Sequence, residues 1–250
     1  MANKLIYGPE VLVSRMNHKK MSRMETTALK VIARIHGDLP TKFGIPRQSG
    51  LVESLQAKIV FEPEFRQAES LRGLEGFTHI WLIWGFSENI REDWSPTVRP
   101  PRLGGNMRMG VFATRSPFRP NGIGLSCVKL EKIAHDKERG DILVVSGADL
   151  MDSTPIYDIK PYIPADCHPE ASKGFTSQNT DYTLEVNIPE NLLSLIPPKK
   201  KDTLRDIIAQ DPRPAYHDDE ERTYGFPFAG YEVKFKVQGK TATVTHIEKK

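Results

Sequence analysis

The segment HIWLIWGF, residues 79–86, is a nearly unbroken run of apolar residues. A short run of this kind is typical of a β-strand that is buried on both faces. Toward the N-terminus, VIARIH (31–36) and AKIVFE (57–62) alternate apolar and polar residues, as half-buried strands do. Segments of β character follow toward the C-terminus at 123–133, 141–150 and 154–163.

Helical patterns are rare in this part of the chain. In EFRQAESLRGL, residues 64–74, Phe65, Ala68 and Leu71 are spaced three apart, which predicts one short helix between two strands. Short strands punctuated by proline and glycine favour a β-barrel or sandwich over a doubly wound α/β sheet.

The character of the sequence changes after about residue 168. NLLSLIPPKKKDTLRDIIAQ, residues 191–210, predicts a helix with Asp202 as its N-cap and with Leu204, Ile207 and Ile208 on one face. YEVKFKVQGKTATVTHI, residues 231–247, predicts a hairpin with Gly239 in its turn. We therefore predict an N-terminal extension over 1–27, a β domain over 28–168 and a small α+β domain over 176–250.

The composition limits the classes of function. The chain has 250 residues and a formal net charge of +3, which is compatible with nucleic acid but too mild to indicate it. No run approaches the length of a membrane span, and Cys127 and Cys167 lack the companions of a zinc site. We expect a cytoplasmic protein with no membrane segment and no metal.

Arginine, proline and glycine are concentrated between Trp94 and Val128. This stretch contains no Asp, Glu or Lys, although Arg99, Arg102, Arg108, Arg115 and Arg119 lie within it. Prolines restrict the backbone there, so the arginines are expected on stiff loops. Guanidinium groups held in this way suit a carboxylate or a phosphate, and the alternative is that they are simply solvated.

Two further turns carry polar side chains. In MDSTPIYDIKPY, residues 151–162, Asp152 precedes a tight turn and could accept hydrogen bonds from a ribose or an amine, or act as a general base. The alternative is a capped turn with a surface ion pair. FGIPRQSG, residues 43–50, presents Arg47 and Gln48 in a turn bounded by glycine, which could equally have no ligand.

The common nucleotide-binding and hydrolase signatures are absent from the sequence. Gly122 and Gly124, for example, lack the third glycine of a dinucleotide fingerprint. A different set of motifs is present in order. The segments FGIPRQSG, RGLEGFTHIWLIWGF, PTVRPPRLGGN, GVFATRSPFRPNGIGLS, STPIYDIKPYIP and AQDPRPAY resemble those of the TsaA-like (YaeB-like) family, which includes the bacterial tRNA N6-threonylcarbamoyladenosine methyltransferase.

This resemblance implies a single closed β-barrel of non-Rossmann type that binds S-adenosylmethionine and works as a homodimer. It also implies methylation of N6 of threonylcarbamoyladenosine at position 37, in the anticodon loop of tRNA. The implied cofactor contacts are Pro46, Arg47, Gln48, Ser87, Glu88, Arg115, Leu125, Asp152, Ser153, Thr154 and Pro155. Asp152 is the candidate base, and the candidate RNA contacts are Arg99, Arg102, Arg119 and Arg213.

The chain departs from the family pattern at a few positions. Ser87 and Glu88 replace a His-Gln pair, Gly122 replaces a proline and Ser153 replaces a glycine. Two other hypotheses therefore stand beside the tRNA methyltransferase. One is a non-catalytic module that binds S-adenosylmethionine or RNA, and the other is a methyltransferase with a different small acceptor.

Overall fold

A computed structural model describes residues 26–88, 94–100, 107–179, 182–213 and 219–250. The predicted extension, 1–27, lies outside the described residues except for its last two positions. The elements of the fold all lie within one unit, Val31–Lys250. The described strands are β1 (Ala33–His36), β2 (Gln56–Phe61), β3 (His79–Gly85), β4 (Thr97–Val98), β5 (Met109–Gly110), β6 (Ile123–Asp136), β7 (Gly140–Ser146), β8 (Pro155–Pro161), β9 (Glu185–Asn187), β10 (Tyr224–Phe228), β11 (Tyr231–Gln238) and β12 (Thr241–Lys249). The described α-helices are α1 (Glu190–Leu193) and α2 (Pro198–Ala209).

Strands β1, β2, β7, β6, β3 and β8 pair in that order, and β8 pairs back onto β1, so this sheet forms a closed ring. Every neighbouring pair in the ring is antiparallel. The prediction of a mainly β protein is confirmed, and all of the barrel strands coincide with segments predicted from the sequence.

Strand β3 is buried less evenly than predicted. Ile80, Leu82 and Trp84 are buried inside the ring, whereas Trp81 and Ile83 on the other face are only half-buried. The continuous apolar run therefore does not correspond to two fully buried faces. Trp84 pairs with Gly124 on β6, where a Cβ atom would overlap the indole ring. Glycine at this position is what admits the tryptophan.

The segment after β2 is not the short helix predicted from its three-residue spacing. It forms three short 3-10 turns, Pro63–Phe65, Ala68–Leu71 and Leu74–Gly76. Gly73 has a φ of 86°, in the left-handed region, which separates the second turn from the third. Leu71 packs into the barrel core, so the predicted apolar contact is retained without a helix.

In the C-terminal part, β11 and β12 form the predicted hairpin, and β10 and β9 flank it in one sheet. Helix α2 begins at Pro198 with Pro197 as N-cap, so the prediction of Asp202 as N-cap is wrong. Proline is favoured in the first helical turn because it has no N–H to leave unsatisfied. The predicted apolar face is confirmed, since Leu204, Ile207 and Ile208 are buried.

The loop between β1 and β2 belongs to the C-terminal core rather than to the barrel core. Leu39, Val52 and Leu55 are buried in the same cluster as Phe226 and Leu204. Gly44, with a φ of 96°, lies against the Phe226 ring at a distance that leaves no room for a Cβ atom. The turn that carries Arg47 is therefore fixed by C-terminal residues.

Candidate active site

A cavity of about 520 Å³ opens where the barrel strands β3 and β6 meet the loops that precede β2 and β6. Its volume lies within the range usual for small-molecule sites. Loops from distant parts of the sequence meet in it. The predicted site residues that line it are Pro46, Arg47, Gln48, Ser87, Glu88, Arg115, Arg119, Leu125 and Thr154.

Arg47 is held by the C-terminal part of the chain. Its Nη2 donates to the carbonyl oxygens of Asp211 at 2.9 Å and of Arg213 at 3.3 Å. Arg213 in turn donates from Nε and Nη2 to the two carboxylate oxygens of Asp211, at 2.8 and 3.0 Å. We call Arg47, Asp211 and Arg213 the arginine clamp.

The side chains of Arg213 and Asp211 are each only 11% exposed. Hydrogen bonding to Asp211 raises the pKa of Arg213 above its ordinary value, so the guanidinium keeps its charge. The predicted RNA contact by Arg213 is not favoured by this position, because its guanidinium is used inside the protein. By pairing with Asp211, Arg213 stabilises the backbone whose carbonyl oxygens accept hydrogen bonds from Arg47.

Gln48 links two loops of the cavity. Arg115 Nη1 donates to Gln48 Oε1 at 2.7 Å, and Gln48 Nε2 donates to the Arg47 carbonyl oxygen at 2.6 Å. Arg115 and Gln48 are both exposed. The predicted cofactor contacts Arg47, Gln48 and Arg115 therefore form one hydrogen-bonded group at the cavity.

A buried polar chain underlies the cavity. Trp84 Nε1 donates to Ser126 Oγ at 2.9 Å, and Ser126 Oγ donates to Asp149 Oδ1 at 2.5 Å. We call Trp84, Ser126 and Asp149 the polar floor. Burial raises the pKa of Asp149, and the hydrogen bond from Ser126 offsets part of that rise. Asp149 lines the cavity but was missed from the sequence, where the only signal is an acid within the apolar run ILVVSGADL.

The predicted base Asp152 is not among the residues that line the cavity, although its neighbour Met151 is. Its carboxylate accepts from the Gly37 N–H at 3.1 Å and from Ser153 Oγ at 3.0 Å, and it lies 3.4 Å from His36 Nδ1. Two of these contacts, with His36 and Gly37, are at the C-terminal end of β1. These contacts agree with the alternative interpretation, in which Asp152 stabilises the turn.

The rest of this turn is divided. Thr154 is buried and lines the cavity, whereas Ser153 and Pro155 do not line it. Ser153 has a φ of 65°, a left-handed conformation that a glycine would adopt more easily. Its carbonyl oxygen accepts from Arg34 Nη1 at 3.1 Å, which fixes the turn.

The remaining predicted arginines differ in position. Arg119 is half-buried at the cavity, where its Nη1 donates to the Thr114 carbonyl oxygen at 3.4 Å. Arg99 is exposed just after β4. Arg102 lies outside the described residues. Within the described ranges, no group of three or more His, Cys, Asp or Glu residues could hold a metal ion, and no helix is both long and apolar enough to cross a bilayer.

The fold and the cavity define a β-rich protein with a small-ligand site at the ends of its strands, and comparison with known proteins gives its family. The model of the tRNA-methyltransferase O N-terminal domain matches residues 34–167, and that of the TrmO C-terminal domain matches residues 182–250. The chain belongs to the tRNA-methyltransferase O family. This confirms the resemblance inferred from the motifs.

The names of two curated relatives describe methyltransferases. The tRNA (adenine(37)-N6)-methyltransferase of Escherichia coli (strain K12) is 41% identical over 223 residues, which cover 86% of this chain and 94% of that protein. A Pseudomonas aeruginosa protein, RcsF, whose name describes an S-adenosylmethionine-dependent methyltransferase, is 38% identical over 80% of this chain and 88% of its own. The crystal structure of TrmO from P. aeruginosa matches with a TM-score of 0.72 at 31% identity, over 92% of this chain and 100% of that one. The predictions of a methyltransferase and of S-adenosylmethionine as its cofactor are thereby confirmed at the level of the family.

Proposed function

We propose that this protein methylates N6 of adenine 37 in tRNA when that adenine carries a threonylcarbamoyl group. The observation that carries the proposal is the cavity itself. It gathers residues 46–48, 87–88, 115, 125 and 154, all predicted as cofactor contacts from separate motifs, in one space of about 520 Å³. Relatives named tRNA (adenine(37)-N6)-methyltransferase support the choice of substrate.

The side chains in the cavity fit the parts of S-adenosylmethionine. Leu125 is 48% exposed, so it offers an uncovered apolar surface for the adenine ring. Arg115 and Arg47 offer guanidinium groups for the carboxylate. Glu88 can accept hydrogen bonds from ribose hydroxyls or from the amino group, which compensates for the His-Gln pair that the family pattern has there. When bound, the cofactor supplies an electrophilic methyl group.

The protein's own residues have two tasks in this reaction. The first is to hold the acceptor N6 in line with the methyl group, because positioning dominates such displacements. The second is to accept the proton that N6 loses. We place this proton acceptor at Asp149 rather than at Asp152, because Asp149 lines the cavity and burial raises its pKa toward the operating pH.

Recognition of the substrate requires further positive charge. Arg119 lines the cavity and is proposed to bind the carboxylate of the threonyl group. A site built around such a charge rejects the analogue that lacks it. Arg99, and Arg102 outside the described residues, are proposed to contact phosphates of the anticodon loop. The homodimer implied by the family resemblance is also proposed, and sedimentation equilibrium of the full chain tests it.

The test of the activity uses the full chain with S-adenosylmethionine labelled in its methyl group. Two tRNA substrates are compared, one with threonylcarbamoyladenosine at position 37 and one with unmodified adenosine there. We expect label only in the first tRNA, at N6. Equal labelling of both tRNAs would contradict the role of the threonylcarbamoyl group, and cofactor binding without any transfer would favour the non-catalytic module.

A further inference from the structure

Two large aromatic side chains are exposed close to the cavity. Phe112 is 73% exposed and Trp94 is 49% exposed. Their ring centroids are 6.1 Å apart and their planes are inclined by 31°. We call these two residues the aromatic platform. Large aromatic side chains usually bury most of their surface, so an exposed pair of them indicates a binding surface.

The backbone beneath the platform is held in place. Phe112 is the middle residue of the 3-10 turn Val111–Ala113, in which Val111 is only 1% exposed. The Val111 N–H donates to the Pro96 carbonyl oxygen at 3.0 Å, which ties the turn to the segment that follows Trp94. Because Val111 occupies the buried position, the next side chain must point outward.

The platform adjoins the cavity along the same stretch of chain. Thr114 and Arg115 line the cavity two and three residues after Phe112, and Thr114 Oγ1 donates to the Val111 carbonyl oxygen at 2.9 Å. The turn that carries Phe112 is therefore bonded directly to a residue of the cavity wall. A ligand that extends out of the cavity on this side meets the platform.

The charged residues in the described segments that carry the platform, 94–100 and 107–128, are all arginines. Arg108 and Arg99 are exposed beside the paired strands β4 and β5, and Arg108 Nη1 lies 3.4 Å from Thr97 Oγ1. The sequence from Trp94 to Val128 contains no Asp, Glu or Lys. Glu92 and Asp93 directly precede Trp94 in the sequence. Exposed aromatic rings among arginines match single-stranded nucleic acid, whose bases stack on rings and whose phosphates bind guanidinium groups.

We propose that the aromatic platform stacks an unpaired base of the substrate RNA, next to the adenine that enters the cavity, while Arg99 and Arg108 bind the adjoining phosphates. This inference rests on the proposed function for the identity of the RNA. It adds to that function the surface that contacts the anticodon loop and the mode of contact, which is base stacking. Stacking tolerates any base, so the platform fixes the position of the loop rather than its sequence.

The test measures binding of a synthetic anticodon stem-loop RNA to the full chain at fixed salt, by fluorescence anisotropy. Phe112→Ala is expected to weaken binding by about 5- to 150-fold, the range that loss of one stacked base corresponds to. Phe112→Tyr keeps the ring and is expected to bind as the unchanged protein does. Leu195→Ala, which removes an apolar side chain that is 49% exposed in the C-terminal part, is the control and is expected to have no effect.

A second readout reports on Trp94 itself. RNA is expected to quench a fluorescence component that is lost in Trp94→Phe, because a base stacked on the indole quenches it. Unchanged RNA affinity in Phe112→Ala would overturn the proposal. So would a change in oligomeric state in Phe112→Ala with no change in RNA affinity, because the platform would then belong to contacts between copies of the chain. If the unchanged protein binds the stem-loop through the platform but transfers no methyl group, the proposed function fails and the platform stands.

Discussion

The arginine clamp reaches the cavity through Arg47, and the aromatic platform adjoins the same cavity through Thr114, two residues after Phe112. The two groups differ in exposure and in pairing. In the clamp, Arg213 and Asp211 pair with each other and are each 11% exposed, while Arg47 is half-buried at the cavity. The platform is open, with Phe112 73% exposed. A buried ion pair cannot lose a partner without leaving an uncompensated charge, whereas an exposed ring can be removed at little loss of stability. We therefore infer that the preformed clamp side of the cavity binds the cofactor and that the open platform binds the substrate RNA.

The largest effect on stability is expected for Arg213→Ala. Removing one partner of a buried pair lowers the free energy of unfolding by about 3–5 kcal/mol. Urea denaturation measures this change. The matched control is Arg99→Ala, an exposed arginine, for which the change is expected to stay within about 0.5 kcal/mol. Equal effects of the two substitutions would remove the distinction between the two regions.

Substitution of Arg119 is expected to act on the substrate instead. Arg119→Ala lowers kcat/KM for tRNA with threonylcarbamoyladenosine by about 10- to 150-fold, corresponding to loss of a hydrogen-bonded charge of about 1.5–3 kcal/mol. Cofactor affinity, measured by calorimetry, is expected to change little. Arg139→Ala, on the distant turn between β6 and β7, serves as the control. A loss of cofactor affinity in Arg119→Ala that matches the loss of activity would assign this arginine to the cofactor.

Ser126→Ala tests the polar floor. The Trp84 N–H then loses its acceptor and the Asp149 carboxylate loses a donor, so the free energy of unfolding is expected to fall by about 1–3 kcal/mol. Ser95→Ala, which removes an exposed hydroxyl that donates to the Thr97 carbonyl oxygen at 2.7 Å, is the comparison on the open side. Equal shifts of the thermal unfolding midpoint in both variants would show that the hydrogen bonds of the polar floor stabilise the fold no more than the exposed one does.

The smallest expected effect is a pH dependence from Asp149. Burial raises the pKa of this carboxyl in the folded protein, so the folded state binds more protons than the unfolded state between the ordinary and the raised pKa. Its contribution to stability is therefore present below the ordinary pKa and is lost as pH rises through the raised one. The free energy of unfolding, compared with that of Asp149→Asn, is expected to fall over this range in urea titrations. A difference that rises with pH would contradict the assigned direction.

The strands and the cofactor loops could be predicted because their signals are local. Alternation of apolar residues marks β2 and the β11–β12 hairpin, and the turn at 46–48 occurs within a recognisable motif. What could not be predicted depends on contacts between distant residues. Nothing near Arg213 in the sequence shows that its partner Asp211 fixes Arg47, which lies 164 residues before Asp211.

The two aspartates illustrate the same limit. Asp149 and Asp152 are three residues apart, and Asp152 was predicted as the base because it begins the recognisable turn. Only the pairing of β6 with the barrel brings Ser126 to Asp149 and turns that carboxylate to the cavity. The ribbon of β4 and β5 was also missed, since strands of two residues leave no periodicity to detect.

The most direct test of separate binding places for cofactor and RNA is a crystal structure of the full chain with S-adenosylhomocysteine. We predict that the ligand lies in the cavity, with its adenine on Leu125, its carboxylate at Arg47 or Arg115, and no contact with Trp94 or Phe112. A ligand stacked on the aromatic platform, or bound in the separate groove beside Leu71 and Phe77, would contradict it.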